Sequence, residues 1–367
     1  MVIKNIIILI QKYKGRSLIR AIFLSFISTI LSFTFFVAHA QRQVPDNPVP
    51  FDAWLEEFKA EARTEGISDQ ILDAAFKDLT PNEKVVELDR RQPEFTQTAE
   101  QYLERRVSPL RIKNGRSKMA EFAEVLNPSA RDIAVQKRFI AAIWGMETNY
   151  GTYTGNFNIV RSLMTLAYDM RRSAFFRKEL LKALTILEEG HIAPDKMIGS
   201  WAGAMGQGQF MPTSFFAYAY DMDGDGRKDI WTNEADVFGS IGNYLSVHGW
   251  RPDQTWGREV KLPDGIGERQ ALVVLTHEPN PPRSCKRALK DHSKKYSLDE
   301  WQEMGVRNLD GSDLPKVTNT NIEATLLMPM GIEGPAYLTY QNFRSILTYN
   351  CSNLYALGVS LLSDELK

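Results

Sequence analysis

Residues 144–151 read WGMETNYG and set one carboxylate, Glu147, among Trp144, Met146 and Tyr150. Laid on a helix from Asp132 onward, Ile140, Ile143, Trp144 and Glu147 fall at i, i+3, i+4 and i+7, which is one face. Gly151 is the expected C-cap, which puts Glu147 in the last turn, at the lip of whatever the helix packs against. A carboxyl group held among apolar and aromatic side chains has its charged form disfavoured, so its pKa rises. That is the condition for a general acid working near neutral pH. A second reading fits the same residues: the Glu stem packs on Trp144 while its head meets solvent or pairs with Arg161, Arg171 or Arg172. Taken alone, the segment leaves both open.

Two further stretches carry chemistry. GSWAGAMGQGQFMP (199–212) places glycine at 199, 203, 206 and 208 with almost no charge. Such a run brings backbone N–H and C=O groups close to a ligand, and Gln209 offers both a donor and an acceptor. A tight connection between helices would use the same glycines. A neutral, Gln-bearing groove with an aromatic rim suits a sugar polymer better than a phosphate. DMDGDGRKD (221–229) puts Asp221, Asp223 and Asp225 at positions 1, 3 and 5 of a calcium loop. Gly226 falls at position 6, the Arg227 carbonyl at 7 and Asp229 at 9. Position 12 is Thr232 rather than a bidentate Glu, so the loop departs from the standard hand, and an acidic turn without metal is the competing reading. Three carboxylates at alternate positions repel one another without a cation, which favours calcium as a structural brace.

The elements that must position these residues are mainly helical. Phe51, Trp54 and Phe58, then Ile67, Ile71, Leu72 and Ala75, recur in helical rhythm, with Gly66 and Ser68 as a helix end and a new N-cap. Residues 41–130 therefore read as a helical preface that packs on a helical core over 131–255, which carries the calcium-type loop at 221–236. The helical pattern runs from Asp132 to Leu187 and returns from Ala235 to His248. Over 256–340 the texture changes to short β-prone runs, REVKLP, ALVVLT, ATLLMPM and AYLTY, separated by Pro, Gly and Asn. Residues 341–367 close with Leu354, Leu357, Leu361 and Leu362 at helical spacing, a last helix expected to return to the helical body. The expected class is α+β, mainly α: a helical domain with a small inserted β-sheet subdomain.

Composition limits the partners. Lys4, Lys12, Lys14, Arg16 and Arg20 precede the apolar run Ala21–Ala38 and the small-x-small site AHA, which reads as a secretory signal cleaved before Gln41. The run is also long enough to be an uncleaved anchor. Cleavage favours periplasmic export, and no Cys near the site supports a lipoprotein. Cleavage would leave 327 of the 367 residues and move the formal charge from −1 to −6, since the leader holds five cations and no acid. A mildly acidic chain carries no general nucleic-acid footprint. Cys285 and Cys351 are the two cysteines, free to form one disulfide or to stay as thiols. No Gly-x-Ser-x-Gly, Walker or dinucleotide fingerprint occurs, and His191, His248, His277 and His292 lack zinc spacing.

WGMETNYG, the pair Arg171–Arg172, GSWAGAMGQGQFMP, DMDGDG, NYLSVHGW and YNCSNLY follow one another in an order that resembles the lytic murein transglycosylase B family, glycoside hydrolase family 103. The resemblance runs from about Phe51 to the C-terminus. It implies a lysozyme-like catalytic domain that cleaves the β-1,4 bond between N-acetylmuramic acid and N-acetylglucosamine and leaves a 1,6-anhydro end. Glu147 matches the single catalytic Glu, acid and then base. By motif position, Ser200 and Gln209 would contact the reacting sugar, and Arg171, Arg172, Tyr244, Tyr349, Asn350 and Tyr355 would line the groove. Asp236 matches an acid that would join Asp221, Asp223, Asp225 and Arg227 around calcium.

Most glycosidases use two carboxylates. Here Asp169, Glu179, Glu188 and Glu189 sit on charged helix faces and read as solvated, which fits a one-carboxylate mechanism. Two departures stand out: Phe175 where the family commonly has Tyr, and Cys351 directly after Asn350, where a disulfide would shape the groove. Peptidoglycan glycan strands are the implied partner, cell-wall synthases a further candidate, and a monomer is expected. The alternatives carried forward are a hydrolytic muramidase on the same fold and a non-catalytic peptidoglycan-binding scaffold.

Overall fold

The computed structural model describes residues 48–91, 97–265, 285–316 and 322–367. The leader, its cleavage site, the ALVVLT run and His277 lie outside the described residues. The described residues open with α1 (Phe51–Thr64), α2 (Asp69–Phe76) and α3 (Glu83–Arg90). Gly66, at φ 92°, ends the first, and the Ser68 side chain caps the second by accepting from Ile71 N. After α4 (Ala99–Arg106), α5 (Pro109–Glu121) and α6 (Ala123–Ile133) comes α7 (Lys137–Thr148), the helix that carries Glu147.

The expected helix from Asp132 is not continuous. It breaks at Ala134, a left-handed C-cap at φ 59°, and restarts after Gln136. Nor does α7 show one face to a core. Phe139 to Met146 are all buried, because α5, α6 and two later helices, Glu234–Val247 and Asn353–Glu365, surround the helix. A helix apolar all round belongs in the middle of a domain, and a Glu near its end meets protein on most sides. The helix stops two residues before the glycine expected to cap it: Asn149 takes the left-handed cap at φ 51°, and Tyr150 (62°) and Gly151 (76°) continue in that region.

A two-stranded antiparallel sheet comes next, β1 (Phe157–Asn158) with β2 (Ile198–Gly199), enclosing α8 (Ile159–Tyr168) and α9 (Ser173–Glu188). Beyond it are α10 (Pro212–Tyr218) and α11 (Glu234–Val247). Two helical cores result. One surrounds α7 and includes Trp144, Phe238, Leu357 and Leu362; the other joins Trp54, Phe58 and Leu72 of the N-terminal helices to Leu163, Leu180 and Leu184.

Between α11 and the closing helices the chain builds a small antiparallel sheet from β3 (Gly257–Lys261), β4 (Tyr296–Ser297), β5 (Arg307–Asn308), β6 (Glu323–Leu327) and β7 (Ala336–Thr339), with the short helices α12 (Lys286–Leu289) and α13 (Leu298–Glu303) between strands. The strand order is β4-β6-β7-β3-β5, with Leu326 facing Leu338 and Arg258 facing Leu338 from the other side. Its core is Val260, Leu298, Trp301, Val306, Leu326 and Leu338. Helices α14 (Gln341–Tyr349) and α15 (Asn353–Glu365) end the chain, and α15 packs on α7 and α4. The fold is mainly helical with a small sheet, as the sequence implies. Cys285 and Cys351 are joined as a disulfide, Cα–Cα 4.8 Å. Among the described residues no helix is long and apolar enough to cross a membrane.

Candidate active site

Glu147 is partly buried at the end of α7, and its Oε1 accepts from the hydroxyl of Tyr355 at 2.5 Å. Burial raises its pKa to about 7; the Tyr355 hydrogen bond and the Arg106 charge pull the other way without cancelling it. Thus the group is half protonated near neutrality. None of Arg161, Arg171 and Arg172 pairs with it. Arg161 donates to Thr80 O, and both other guanidinium groups hold Asp89 of α3.

Tyr355 reaches Glu147 from the first turn of α15, and Tyr349 approaches from the last residue of α14. The hydroxyl of Tyr349 donates to Gly208 O at 2.6 Å, tying this corner to the Gly-rich loop. Burial first, then the neighbouring Glu147 charge, holds both phenols well above their ordinary pKa, so they act as neutral donors. Tyr244 packs against Tyr349 with ring centroids 4.6 Å apart and donates to Thr348 O. Asn350, in the turn between α14 and α15, is exposed.

The Gly-rich loop is a folded hairpin-like turn. Met205 pairs with both Gly199 and Phe210, and Ser200 and Ala204 close a tight turn through Ser200 N to Ala204 O at 2.7 Å. A Cβ on Gly199 would stand 2.2 Å from Ala204 O, so the approach admits no side chain. Ser200 Oγ accepts from Ala204 N, leaving its proton to donate. Gln209 sits at φ 53° and commits its amide nitrogen to Thr154 O and Gly206 O, so it offers a ligand its carbonyl oxygen rather than both ends.

Three site neighbours escaped the sequence. Buried Gln207 accepts from Trp144 Nε1 at 2.7 Å, donates to Trp231 O, and its own carbonyl accepts from Thr148 Oγ1. It pins the loop to α7. Its position between Gly206 and Gly208 was visible, but nothing marked it as the buried one. Tyr102 and Arg106 of α4, an i, i+4 pair with the guanidinium 5.4 Å above the ring, both lie close enough to Glu147 to exchange charge effects with it. Long-range packing alone brings them there.

Of the four other carboxylates, Glu188 and Glu189 are exposed as expected, whereas Glu179 and Asp169 are not the solvated groups expected. Glu179 is 2% exposed and accepts from Thr213 N and Oγ1. Glu188 accepts from Ser68, Asp169 from Arg90, and Glu189 faces His191. Each is engaged away from Glu147, which leaves it, among these residues, without a second carboxylate beside it. Phe175 is 48% exposed beside the arginine pair and packs on Phe176.

Asp221, Asp223 and Asp236 bring carboxylate oxygens within 4.8 Å of one another, with Asp236 wholly buried in the first turn of α11. Asp236 accepts from Met222 N and Asp229 N. Asp225 stands outside this trio: its carboxylate accepts from Arg227 N and lies 3.5 Å from the Arg227 guanidinium, a competing local partner. Asp229 is turned to Trp231 N and Thr232. Three hard oxygen donors, one of them buried, fit calcium.

A mainly helical body with a partly buried Glu at a helix end, beside a Gly-rich loop and a small sheet, is a lysozyme-like arrangement. A family model described as "Transglycosylase SLT domain" matches residues 50–364, and the chain belongs to that family. It is 29% identical over 259 residues to the membrane-bound lytic murein transglycosylase B of Escherichia coli K12, covering 70% of this chain and 64% of that relative, less than two thirds of its length. SltB3 of Pseudomonas aeruginosa, solved with NAG-anhNAM-pentapeptide, superposes with TM-score 0.78 at 43% identity over 86% of this chain and 79% of that one. Slt35 of Escherichia coli, solved in complex with calcium, superposes with TM-score 0.66 at 26% identity over 85% and 92%.

Proposed function

We propose that this chain is a lytic transglycosylase of peptidoglycan in which Glu147 serves as acid and then base. The single observation that carries the reading is Glu147 itself: one carboxyl, its pKa raised to about 7 by burial, held by the Tyr355 hydroxyl at the mouth of an aromatic corner. A carboxyl poised there donates and accepts a proton with little bias at neutral pH. In the first step the Glu147 proton passes to the glycosidic oxygen, and the bond from that oxygen to the muramic C1 breaks. The C6 hydroxyl oxygen of the same sugar then bonds to C1, and its proton returns to the Glu147 carboxylate. No water is consumed, and the muramic end is left as the 1,6-anhydro sugar.

Tyr355 orients the carboxyl and favours its charged form after the first transfer. Ser200 Oγ and the Gln209 carbonyl are suited to the reacting sugar, Tyr244, Tyr349 and Asn350 to the groove, and Arg171 and Arg172, held side by side on Asp89, to the acids of the lactyl group and stem peptide. The similarity to SltB3, solved with NAG-NAM-pentapeptide, supports a glycan bearing a peptide as the substrate. Calcium held by Asp221, Asp223 and Asp236 would brace the connection from the Gly-rich loop to α11; Slt35 in complex with calcium supports this. We read the protein as exported to the periplasm through a cleaved signal, acting as a monomer, with cell-wall synthases as candidate partners.

Mass spectrometry of muropeptides released from purified sacculi tests the reaction. Products lighter by one water than the corresponding reducing-end muropeptides are expected. Reducing-end products would mean hydrolysis on the same fold, and binding without release would mean a scaffold.

A further inference from the structure

The turn between α14 and α15 consists of Asn350, Cys351 and Ser352, and it sends a tyrosine toward the catalytic corner from each side. Tyr349 ends the helix before it, and Tyr355 stands in the first turn of the helix after it. The N-cap bond from Tyr355 N to Ser352 Oγ is long, 3.4 Å, and the first turn of a helix is where backbone bonds are fewest. Left to itself, such a turn frays. Here a second segment clasps it. Cys285, just before α12, is buried and joined to the partly exposed Cys351. From the same segment Ala288 O accepts from Asn353 Nδ2 at 2.8 Å, and His292 Nε2 meets Asn353 Oδ1 at 2.9 Å.

We propose that the Cys285–Cys351 disulfide is a positioning element of the active site, holding the start of α15 so that the Tyr355 hydroxyl stays on Glu147. The inference rests on the reading of Glu147 as the acid and base. The body of α15 is secured independently, by Ala356, Leu357, Val359 and Leu362 in the core around α7, so cutting the bond loosens the first turn and leaves the fold intact. The consequence is specific. Loss of the Tyr355 hydrogen bond removes a contact that favours the charged carboxyl, so the Glu147 pKa rises and the alkaline limb of activity moves to higher pH, while the cleavage rate drops.

The test is the pH–rate profile of sacculus cleavage for the double variant Cys285→Ala/Cys351→Ala, in the wild-type and in the Tyr355→Phe background, with thermal melts alongside. In the wild-type background we expect a rate about tenfold lower, from one lost catalytic hydrogen bond, and an alkaline limb displaced upward as in Tyr355→Phe. In the Tyr355→Phe background the double variant should change neither by more than about twofold, because coupled residues are not additive. Wild-type protein treated with a dithiol gives a second arm: the reagent delivers two electrons and two protons, leaving two protein thiols and its own disulfide, and should reproduce the variant. Unchanged rate and profile would overturn the proposal, as would an equal loss in both backgrounds, or unfolding in both arms. Wild-type protein that releases no muropeptides would instead refute the transglycosylase reading.

Discussion

The hydroxyl of Tyr355 meets Oε1 of Glu147 at 2.5 Å across 208 positions of sequence. One residue stands near the end of a helix buried on all sides and the other in the first turn of the last helix, so the contact forms only when that last helix has docked. Replacing Tyr355 by Phe keeps the ring's packing and removes the donor. The carboxyl then loses a contact that lowers its pKa, and the pH at which activity falls on the alkaline side rises. A rate loss of about tenfold accompanies it, from one hydrogen bond to a charged group. A pH–rate profile of that variant on sacculi checks both effects.

Glu147 also costs stability when it ionises. Its folded pKa, about 7, is above the ordinary glutamate value of 4.5, so between those values the folded state holds more of the proton than the unfolded state does. The stabilisation this brings is complete below about pH 4.5 and is lost as pH rises through about 7. Glu147→Gln, neutral at every pH, should therefore melt above the wild type at pH 8, by on the order of 1 kcal/mol, with the gap closing toward pH 5. Calorimetry at the two pH values measures it; a gap of the opposite sign would mean the carboxyl is not held in a desolvating site.

Much of this was legible in the sequence because it was local. The helix end at Gly66, the Ser68 cap, the last helix and three of the β-prone runs follow from spacing and turn chemistry over a few residues. Glu147 stood out because a charge interrupts an apolar helix. The break at Ala134 was not legible, since nothing in RDIAVQKRF marks a left-handed residue. Gln207 could not be told from Gln209, because burial is set by the partner Trp144 and not by the loop's own pattern. The clustering of Asp236 with Asp221 and Asp223 came from resemblance, and Asp225 failed to join it because Arg227 is its nearer partner.

Asp89 is 2% exposed and holds Arg171 and Arg172 on its two oxygens. Asp89→Asn removes the charge that aligns both guanidinium groups. Cleavage of peptide-bearing glycan should fall more than cleavage of peptide-free glycan, and stability should drop by about 1–2 kcal/mol, discounted because both arginines are partly exposed. Parallel assays on the two substrates and a thermal melt measure these; equal losses on both substrates would disconnect the arginines from the peptide.

Calcium held by the native state alone stabilises it by mass action, about 2.7 kcal/mol at a hundredfold excess over Kd. Chelator should lower the melting temperature of the wild type and added calcium restore it. Asp236→Asn should abolish the response, since Asp236 is the buried member of the trio. No shift in the wild type would reject the site and leave catalysis by Glu147 untouched.

The most direct measurement compares muropeptide release from purified sacculi by the wild type and by Glu147→Gln, with circular dichroism to confirm an unchanged fold. Loss of a general acid and base predicts release slower by about a thousandfold in the variant, with anhydro-ended products from the wild type alone. Release at the wild-type rate by a folded Glu147→Gln variant would contradict the assignment of the chemistry to this carboxyl.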